Sequence, residues 1–437
     1  MNIIGCKWVY RTKRKADGSV ERYKARLIAK GFNQVASEDF FDTFSPVVKP
    51  TTVRMLFSLA VSNSWTLRQL DVHNAFLNGN IAETVYMKQP PGYEDPLHPD
   101  HTDLSLFYYS SKSSRVFLLV YVDDIIMLGN DASLIDDLLL RLSSVFKIRD
   151  LGTPSFFLGI ETLTDGKGFI LSQKRYMTDI LHRAGMSDCK PLATPAAVTA
   201  PATPSLEPYE NPTQYRRIVG ALQYLTITHP DLSYAVNRLC QFMHSLTEAH
   251  WALLKRVLRY VKGSQEFGLR IVASSSTDIQ AYSNSDWAGC PIDRKSTSGY
   301  AVYLGDNLVS WGSRKQRTVA RSSTEAEYKG LADVYAEVTW IVSLLVELGF
   351  HSGKPATLWC DNLGATYLAA NPVFHARTKH VEIDYHFVRD KVATGDLIVN
   401  FVSTRDQIAD IFTKPLPAHR FQFLRDKLNV AAIQPCA

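Results

Sequence analysis

The chain of 437 residues has only six cysteines, at positions 6, 189, 240, 290, 360 and 436, and no two form a Cys-x-x-Cys pair. That spacing disfavours a zinc module and offers no disulfide framework of the secreted kind. No apolar run reaches the roughly 18 residues that read as a membrane span. The opening Met-Asn-Ile-Ile-Gly-Cys is not a signal peptide, so an intracellular protein, cytoplasmic or nuclear, is expected. No internal repeat of solenoid length is present. The net charge of +5 is mild, and the 46% hydrophobic and 21% charged content is that of a globular protein. Charge is uneven, however. Residues 1–30 hold nine Lys and Arg against Asp17 and Glu21. Such a segment is either a solvated basic hairpin or a phosphate-facing surface.

Length predicts two to four domains. Residues 7–30 read as a hairpin turning at Asp17-Gly18. A helix is expected over 51–62, with Val53, Leu56, Phe57 and Ala60 on one face. A strand follows over 67–72. The apolar run from Val116 to Leu128 reads as two strands, and a helix near 133–144 aligns Leu134, Leu138 and Val145. Six prolines between Lys190 and Pro212 mark a linker or long surface loop. Residues 213–262 are helical in pattern. Residues 278–415 alternate strands and helices as in an α/β domain with a mixed sheet. There Ser322-x-x-Glu325 opens a long helix, and Thr404-x-x-Gln407 caps a last one.

Two groups of carboxylates carry the chemistry. Tyr121-Val122-Asp123-Asp124 interrupts the apolar run. Adjacent carboxylates between buried strands repel each other, and burial disfavours their charge unless cations sit beside them. A divalent metal is the simplest physical account. Asp71, at the end of an earlier strand, supplies a third carboxylate, and three can hold two ions about 4 Å apart for phosphoryl transfer. The histidines at 375, 380 and 386, with Glu382 and Asp384, fit no common zinc spacing.

The chain resembles the Pol polyprotein of copia-type long-terminal-repeat retrotransposons. The matching stretches include Gly5 to Tyr10, Tyr23 to Phe32, Asp71 to Gly79, Val85 to Gly92, Tyr121 to Asp124, Val219 to Leu225, Ser296 to Tyr300 and Ile408 to Lys414. The resemblance implies an α+β polymerase palm and fingers with a helical thumb and connection, then an α/β ribonuclease H-like domain. The corresponding boundaries are 1–165, 166–275 and 276–437, with the capsid, protease and integrase portions absent. It implies an RNA-directed DNA polymerase and a nuclease for RNA in RNA–DNA hybrids. Mg²⁺, or Mn²⁺ in its place, would be the cofactor; RNA template, DNA primer, hybrid and dNTPs would be the partners. By position, Asp71, Asp123 and Asp124 resemble the polymerase metal ligands. Phe76 takes the place of the aromatic that excludes a ribose 2′-hydroxyl, and Lys24 and Arg26 that of triphosphate contacts. Phe156-Phe157-Leu158-Gly159 is either a primer-positioning stretch or core. Glu327, Asp361 and Asp410 resemble three nuclease metal ligands. Asn284 stands where the family has the fourth, an Asp, and so loses a full charge toward a hard dication. Asp286, two residues on, shares the strand face and is a candidate substitute.

The stretch between Asp71 and Asp123 departs from the family by being short. A Ser-Leu-Tyr-Gly-Leu-Lys-Gln-Ala-Pro-Arg box and a long palm helix are missing, with a junction at 101–103. Their loss removes positioning of the nucleotide and cover from one sheet face, at Leu118 or Val120. At ~25 cal/mol per Å², uncovering a few hundred Å² costs several kcal/mol, against a domain margin of roughly 5–15 kcal/mol. Impaired or absent polymerase activity is expected. The alternatives are a non-catalytic nucleic-acid-binding remnant and a non-functional product.

Overall fold

The computed structural model describes residues 6–14, 20–29, 48–72, 105–111, 113–166, 168–199, 205, 207–370 and 382–433; before residue 30, side chains are described at Thr12 and Val20 alone. The chain divides into two units, residues 1–47 with 74–101 and residues 48–73 with 102–437. In the first unit, β1 (Cys6–Arg14) and β2 (Val20–Ala29) pair antiparallel, with Arg11 opposite Lys24. The expected turn at Asp17-Gly18 lies outside the described residues, as do Phe76 and the junction at 101–103.

The second unit begins with α1 (Pro50–Ser62), which has a proline in its first turn, where a missing N–H costs nothing. A five-stranded antiparallel sheet is built from β3 (Thr66–Val72), β4 (Leu106–Ser110), β5 (Arg115–Tyr121), β6 (Asp124–Gly129) and, after α2 (Ala132–Val145), β7 (Ile148–Asp150). Its order is β4-β5-β6-β3-β7. Then come β8 (Phe156–Phe157), β9 (Ile160–Thr164), β10 (Gly168–Ser172), α3 (Lys174–Arg183), α4 (Pro212–Leu225), α5 (Ser233–Cys240), α6 (Glu248–Gly263) and β11 (Phe267–Val272). The last segment runs β12 (Ile279–Asp286), β13 (Thr297–Leu304), β14 (Asn307–Lys315), α7 (Ser323–Glu347), β15 (Ala356–Cys360), α8 (Leu363–Ala370), α9 (Glu382–Ala393), β16 (Leu397–Phe401), α10 (Ala418–Lys427) and β17 (Val430–Ala432). Its sheet has the order β14-β13-β12-β15-β16, antiparallel as far as β12 and parallel beyond it. β17 leaves this sheet and pairs with β11. No helix among the described residues is long and apolar enough to cross a membrane.

Two helices differ from their sequence pattern. α1 is buried on all sides from Thr51 to Ala60, not along one face. It packs against β11 and β14. Arg54 is the polar centre of that contact. Its Nε donates to Val309 O at 2.7 Å and its Nη1 to Ile227 O at 3.1 Å, and the guanidinium lies 3.9 Å from the Trp311 ring centroid. In α2 the buried residue is Ile135, while Val145 and Leu140 are each 72% exposed. On β5, Phe117 and Leu119 are buried, whereas Leu118 and Val120 on the other face are half-buried. The sheet is therefore well packed on the Phe117 face, and on the other face it is closed at β6, where Ile125 and Met127 are buried, and partly open along Leu118 and Val120 of β5. The Lys190–Pro212 segment is tied down near its start, because Leu192 N donates to Arg259 O and Arg259 Nε donates to Lys190 O.

Candidate catalytic centres

β5 and β6 are joined by Val122-Asp123, with Tyr121 opposite Asp124. A two-residue connection between twisted strands needs a primed turn, which places its first residue at positive φ. Val122 takes that position at φ 55°. A β-branched side chain there is strained by about 1–2 kcal/mol. Val122→Gly is expected to leave stability unchanged or raise it by up to about 1 kcal/mol. A urea titration showing clear destabilisation would mean that the valine side chain contributes packing worth more than its strain.

Antiparallel register sets Asp71 on β3 directly opposite Asp124 on β6, and Val72 N donates to Asp123 O at 2.8 Å. Burial, then the neighbouring Asp123 and Asp71 charges, push the Asp124 carboxyl up to about 6. A site that resists its own ionisation in this way favours a cation beside it. The side chains of Lys24 and Arg26 are outside the described residues, as is Phe76. In the Phe156 to Gly159 stretch, Phe157 is buried and Phe156 is exposed. Leu158 turns through φ 48°, and its carbonyl accepts from Tyr224 OH.

The second centre draws on β12 and β15 of the β12–β16 sheet, on α7 and on a short 3-10 turn. Asn284 lies on β12 opposite Gly299 of β13. A Cβ at Gly299 would sit 2.4 Å from Phe412 Cβ, so glycine lets the short 3-10 turn Ile408–Phe412 lie flat on the sheet. That turn carries Asp410. It is not part of the last helix, contrary to the sequence pattern. Asn284 Nδ2 donates to Asp410 Oδ1 at 2.6 Å and to Thr413 Oγ1 at 2.9 Å. Glu327 comes from α7, which is capped by Ser322 Oγ accepting from Glu325 N. Its close approach depends on Gly330, where a Cβ would meet Ser285 Oγ at 2.8 Å. Glu327 Oε1 accepts from Ser285 N at 2.9 Å. Burial, opposed by that hydrogen bond and reinforced by Asp361 and Asp410, pushes its carboxyl up to about 8. Asp361 follows β15 and completes a cluster with Glu327 and Cys360, whose candidate ligand atoms all lie within 4.8 Å of one another.

Several contacts at this centre escape sequence reasoning. Thr404-x-x-Gln407 does not close as a capping box; Gln407 alone caps the 3-10 turn, its Oε1 accepting from Ala409 N at 3.1 Å. Thr404 Oγ1 donates to Asp361 Oδ2 at 3.2 Å and Gln407 Nε2 to Asp361 Oδ1 at 3.4 Å, so both orient that carboxylate. The Thr-x-x-Gln spacing signals a polar pair but not its target. Cys360 is buried, and burial raises its thiol so far that it stays neutral, 3.9 Å from Glu327 Oε2. Lys414 Nζ lies 2.7 Å from Asp410 Oδ1. Asp286 is engaged elsewhere: its Oδ1 accepts from Thr297 N, and burial pushes the carboxyl up to about 6. His375 and His380 lie outside the described residues. His386 is half-buried on α9 and belongs to no metal-ligating group among the described residues.

The family profile described as "Reverse transcriptase (RNA-dependent DNA polymerase)" matches residues 1–102 and 94–198. The Retrovirus-related Pol polyprotein from transposon RE2 of Arabidopsis thaliana is 46% identical over 471 positions, covering 100% of this chain and 32% of that protein. The chain belongs to the copia-type Pol polyprotein family. The Pol polyprotein from transposon TNT 1-94 of Nicotiana tabacum is 34% identical over 98% of this chain and 36% of its own length. The chain thus spans about a third of the length of these Pol relatives. A solved foamy viral protease-reverse transcriptase in complex with double-stranded DNA is similar at TM-score 0.48 and 11% identity, over 90% of this chain and 64% of that one. Within this family the chain is short. The alignment to the RE2 polyprotein has 471 positions against 437 residues, so at least 34 find no partner here. The reverse transcriptase profile also breaks into two pieces that meet at 94–102.

Proposed function

We propose that this chain is a retrotransposon-derived RNA-directed DNA polymerase with a ribonuclease H domain, impaired at both centres. The observation that carries the reading is the convergence of carboxylates at two places, Asp71 against Asp124 across paired strands, and Glu327 of α7 against Asp361 at the end of β15. At the polymerase centre, Asp71, Asp123 and Asp124 offer only carboxylate oxygen, the donor type that hard cations such as Mg²⁺ and Mn²⁺ prefer. At the nuclease centre, Glu327, Asp361 and Asp410, with the Asn284 amide, offer an oxygen set that suits the same ions. Divalent ions held there would stabilise the attacking and leaving oxygens of a phosphoryl transfer.

The chain's own residues position that chemistry. Register fixes Asp71 against Asp124, and Thr404 with Gln407 fixes Asp361. RNA template, DNA primer and dNTPs would engage the polymerase centre, and an RNA–DNA hybrid the nuclease centre. Two features support impairment. The family match breaks at 94–102, and Leu118 and Val120, later in the chain on β5, are only half-covered. Asn284 replaces a charged ligand.

The test is Mg²⁺-dependent primer extension and hybrid cleavage by the full chain, with Asp123→Asn and Asp361→Asn as controls. Extension should not exceed that of Asp123→Asn; extension clearly above it would sink the impaired-palm reading. Hybrid cleavage should be weak and should rise about tenfold or more in Asn284→Asp, the scale of one electrostatic group at a reacting centre. No rise would count against the ligand assignment. The hydrogen bond from Asn284 to Asp410 favours a second reading, binding of hybrid without turnover. It would appear as salt-sensitive binding with no cleavage.

A further inference from the structure

Asp410 differs from the other acids of the nuclease centre in being matched by the chain itself. Lys414 Nζ sits 2.7 Å from its Oδ1, and Arg420 Nη2 sits 3.6 Å from its Oδ2. Asn284 donates to the same Oδ1 at 2.6 Å. Arg420 is anchored by the carbonyls of Arg405, Thr404 and Gln407, so its charge is held in place. Glu327 and Asp361 have neutral partners instead: Ser285 N and the Cys360 thiol for one, Thr404 and Gln407 for the other. Among the described residues, neither forms an ion pair.

The arithmetic of charge separates the two halves of the centre. Glu327 and Asp361 together carry up to two negative charges with no ion pair among the described residues, the Lys414 charge acting on Glu327 only through space. Asn284, Asp410 and Lys414 sum to zero, and Arg420 adds one further positive charge on the Asp410 side. An Asp at 284 would return one negative charge at hydrogen-bond distance from Asp410, and the two carboxylates would then repel unless a dication bridged them. With asparagine, the repulsion is replaced by a hydrogen bond, and a dication approaching Asp410 would meet the Lys414 ammonium.

We propose that Asn284, Asp410 and Lys414 form an internally neutral triad that excludes one of the two divalent ions, leaving a single-ion centre on Glu327 and Asp361. This rests on the reading of the centre as a nuclease site. Lys414 acts as a positioning residue, a built-in cation that keeps Asp410 in place without metal.

The experiment counts Mn²⁺ bound to the full chain by electron paramagnetic resonance, with Asp124→Asn in every protein to weaken the polymerase centre equally. The Asn284 and Lys414 parent should bind one ion at the nuclease centre. Lys414→Met and Asn284→Asp should each add a second ion, bound about tenfold or more tightly than any second ion of the parent. Lys414→Arg keeps the charge and should count as the parent does, which separates charge from folding; melting without metal checks that each variant folds. A second ion in the parent, or no gain in Lys414→Met while Asn284→Asp gains one, overturns the triad. Asp361→Asn should lose the single ion. If it does not, the metal-centre reading itself fails, whatever Lys414 does.

Discussion

Glu327→Gln is expected to stabilise the metal-free protein at pH 8 and to abolish hybrid cleavage. Glu327 is 5% exposed, and burial, with help from Asp361 and Asp410, lifts its carboxyl to about 8. In the unfolded chain the same group ionises near 4.5. Between those values the folded state holds a proton that the unfolded state has released, so stability falls as pH rises from about 4.5 to 8. Each pKa unit is worth 1.36 kcal/mol, which puts the loss at roughly 3–5 kcal/mol. Glutamine keeps the acceptor for Ser285 N and cannot ionise, so the variant should lack this part of the pH dependence. A divalent ion should reverse the order, because it favours the ionised carboxylate of the wild type alone. Urea titrations at pH 5 and pH 8, with EDTA or Mn²⁺, measure the difference. Identical pH dependence in the two proteins would show that Glu327 is not held protonated. A group kept at this cost to stability is characteristic of a site selected for activity.

Arg54→Met should destabilise the chain by about 3–5 kcal/mol, the usual consequence of removing one partner from a buried charged network. The guanidinium is 5% exposed and joins α1, the carbonyl of Ile227 and the β14 edge in one contact. Burial pulls its pKa down to about 9, against the opposing pull of Glu337, so it remains charged at neutral pH. Glu337 in turn accepts from Ser310 Oγ at 2.7 Å. Methionine fills part of the volume but leaves the carbonyls of Val309 and Ile227 without this donor and Glu337 without its cation. Lysine should not rescue, because a single ammonium cannot reproduce the fork that reaches two carbonyls and stacks on Trp311. The midpoint of thermal or urea unfolding reports the effect. A shift no larger than that of a surface substitution would mean that α1 does not depend on this contact.

Much of the local structure was legible in the chain. Alternation marked β5 and β6, and the Asp pair marked their turn, because a period of two exposes any break in an apolar run. Ser322 announced the start of α7. The spacing of apolar residues in α2 misled: Val145 aligns with Leu138 on a helical wheel, yet the sheet offers it nothing to pack on and it stays exposed. In α1 the same reasoning found one face where the structure buries all of them. Periodicity detects a contrast between faces, and a helix packed on both sides has none.

Sequence by itself determined the family, the strand-end placement of Asp71, Asp123 and Asp124, and the loss of charge at Asn284. These follow from motifs and from alternation, both properties of a few consecutive residues. Only the tertiary structure decided what each carboxylate meets. Asn284 and Asp410 are 126 residues apart in the chain and 2.6 Å apart across the hydrogen bond. Asp410 sits on a 3-10 turn seated on Gly299, and Lys414, four residues on, closes back on it, with Lys414 N donating to Asp410 O. Thr404 turns to Asp361 where the spacing had suggested a capping box, and Gln407 caps the 3-10 turn through Ala409 N while its Nε2 reaches Ser283 O and Asp361. The acidic residues could be picked out in the sequence, but their charge balance depends on packing between distant segments, which no local pattern records.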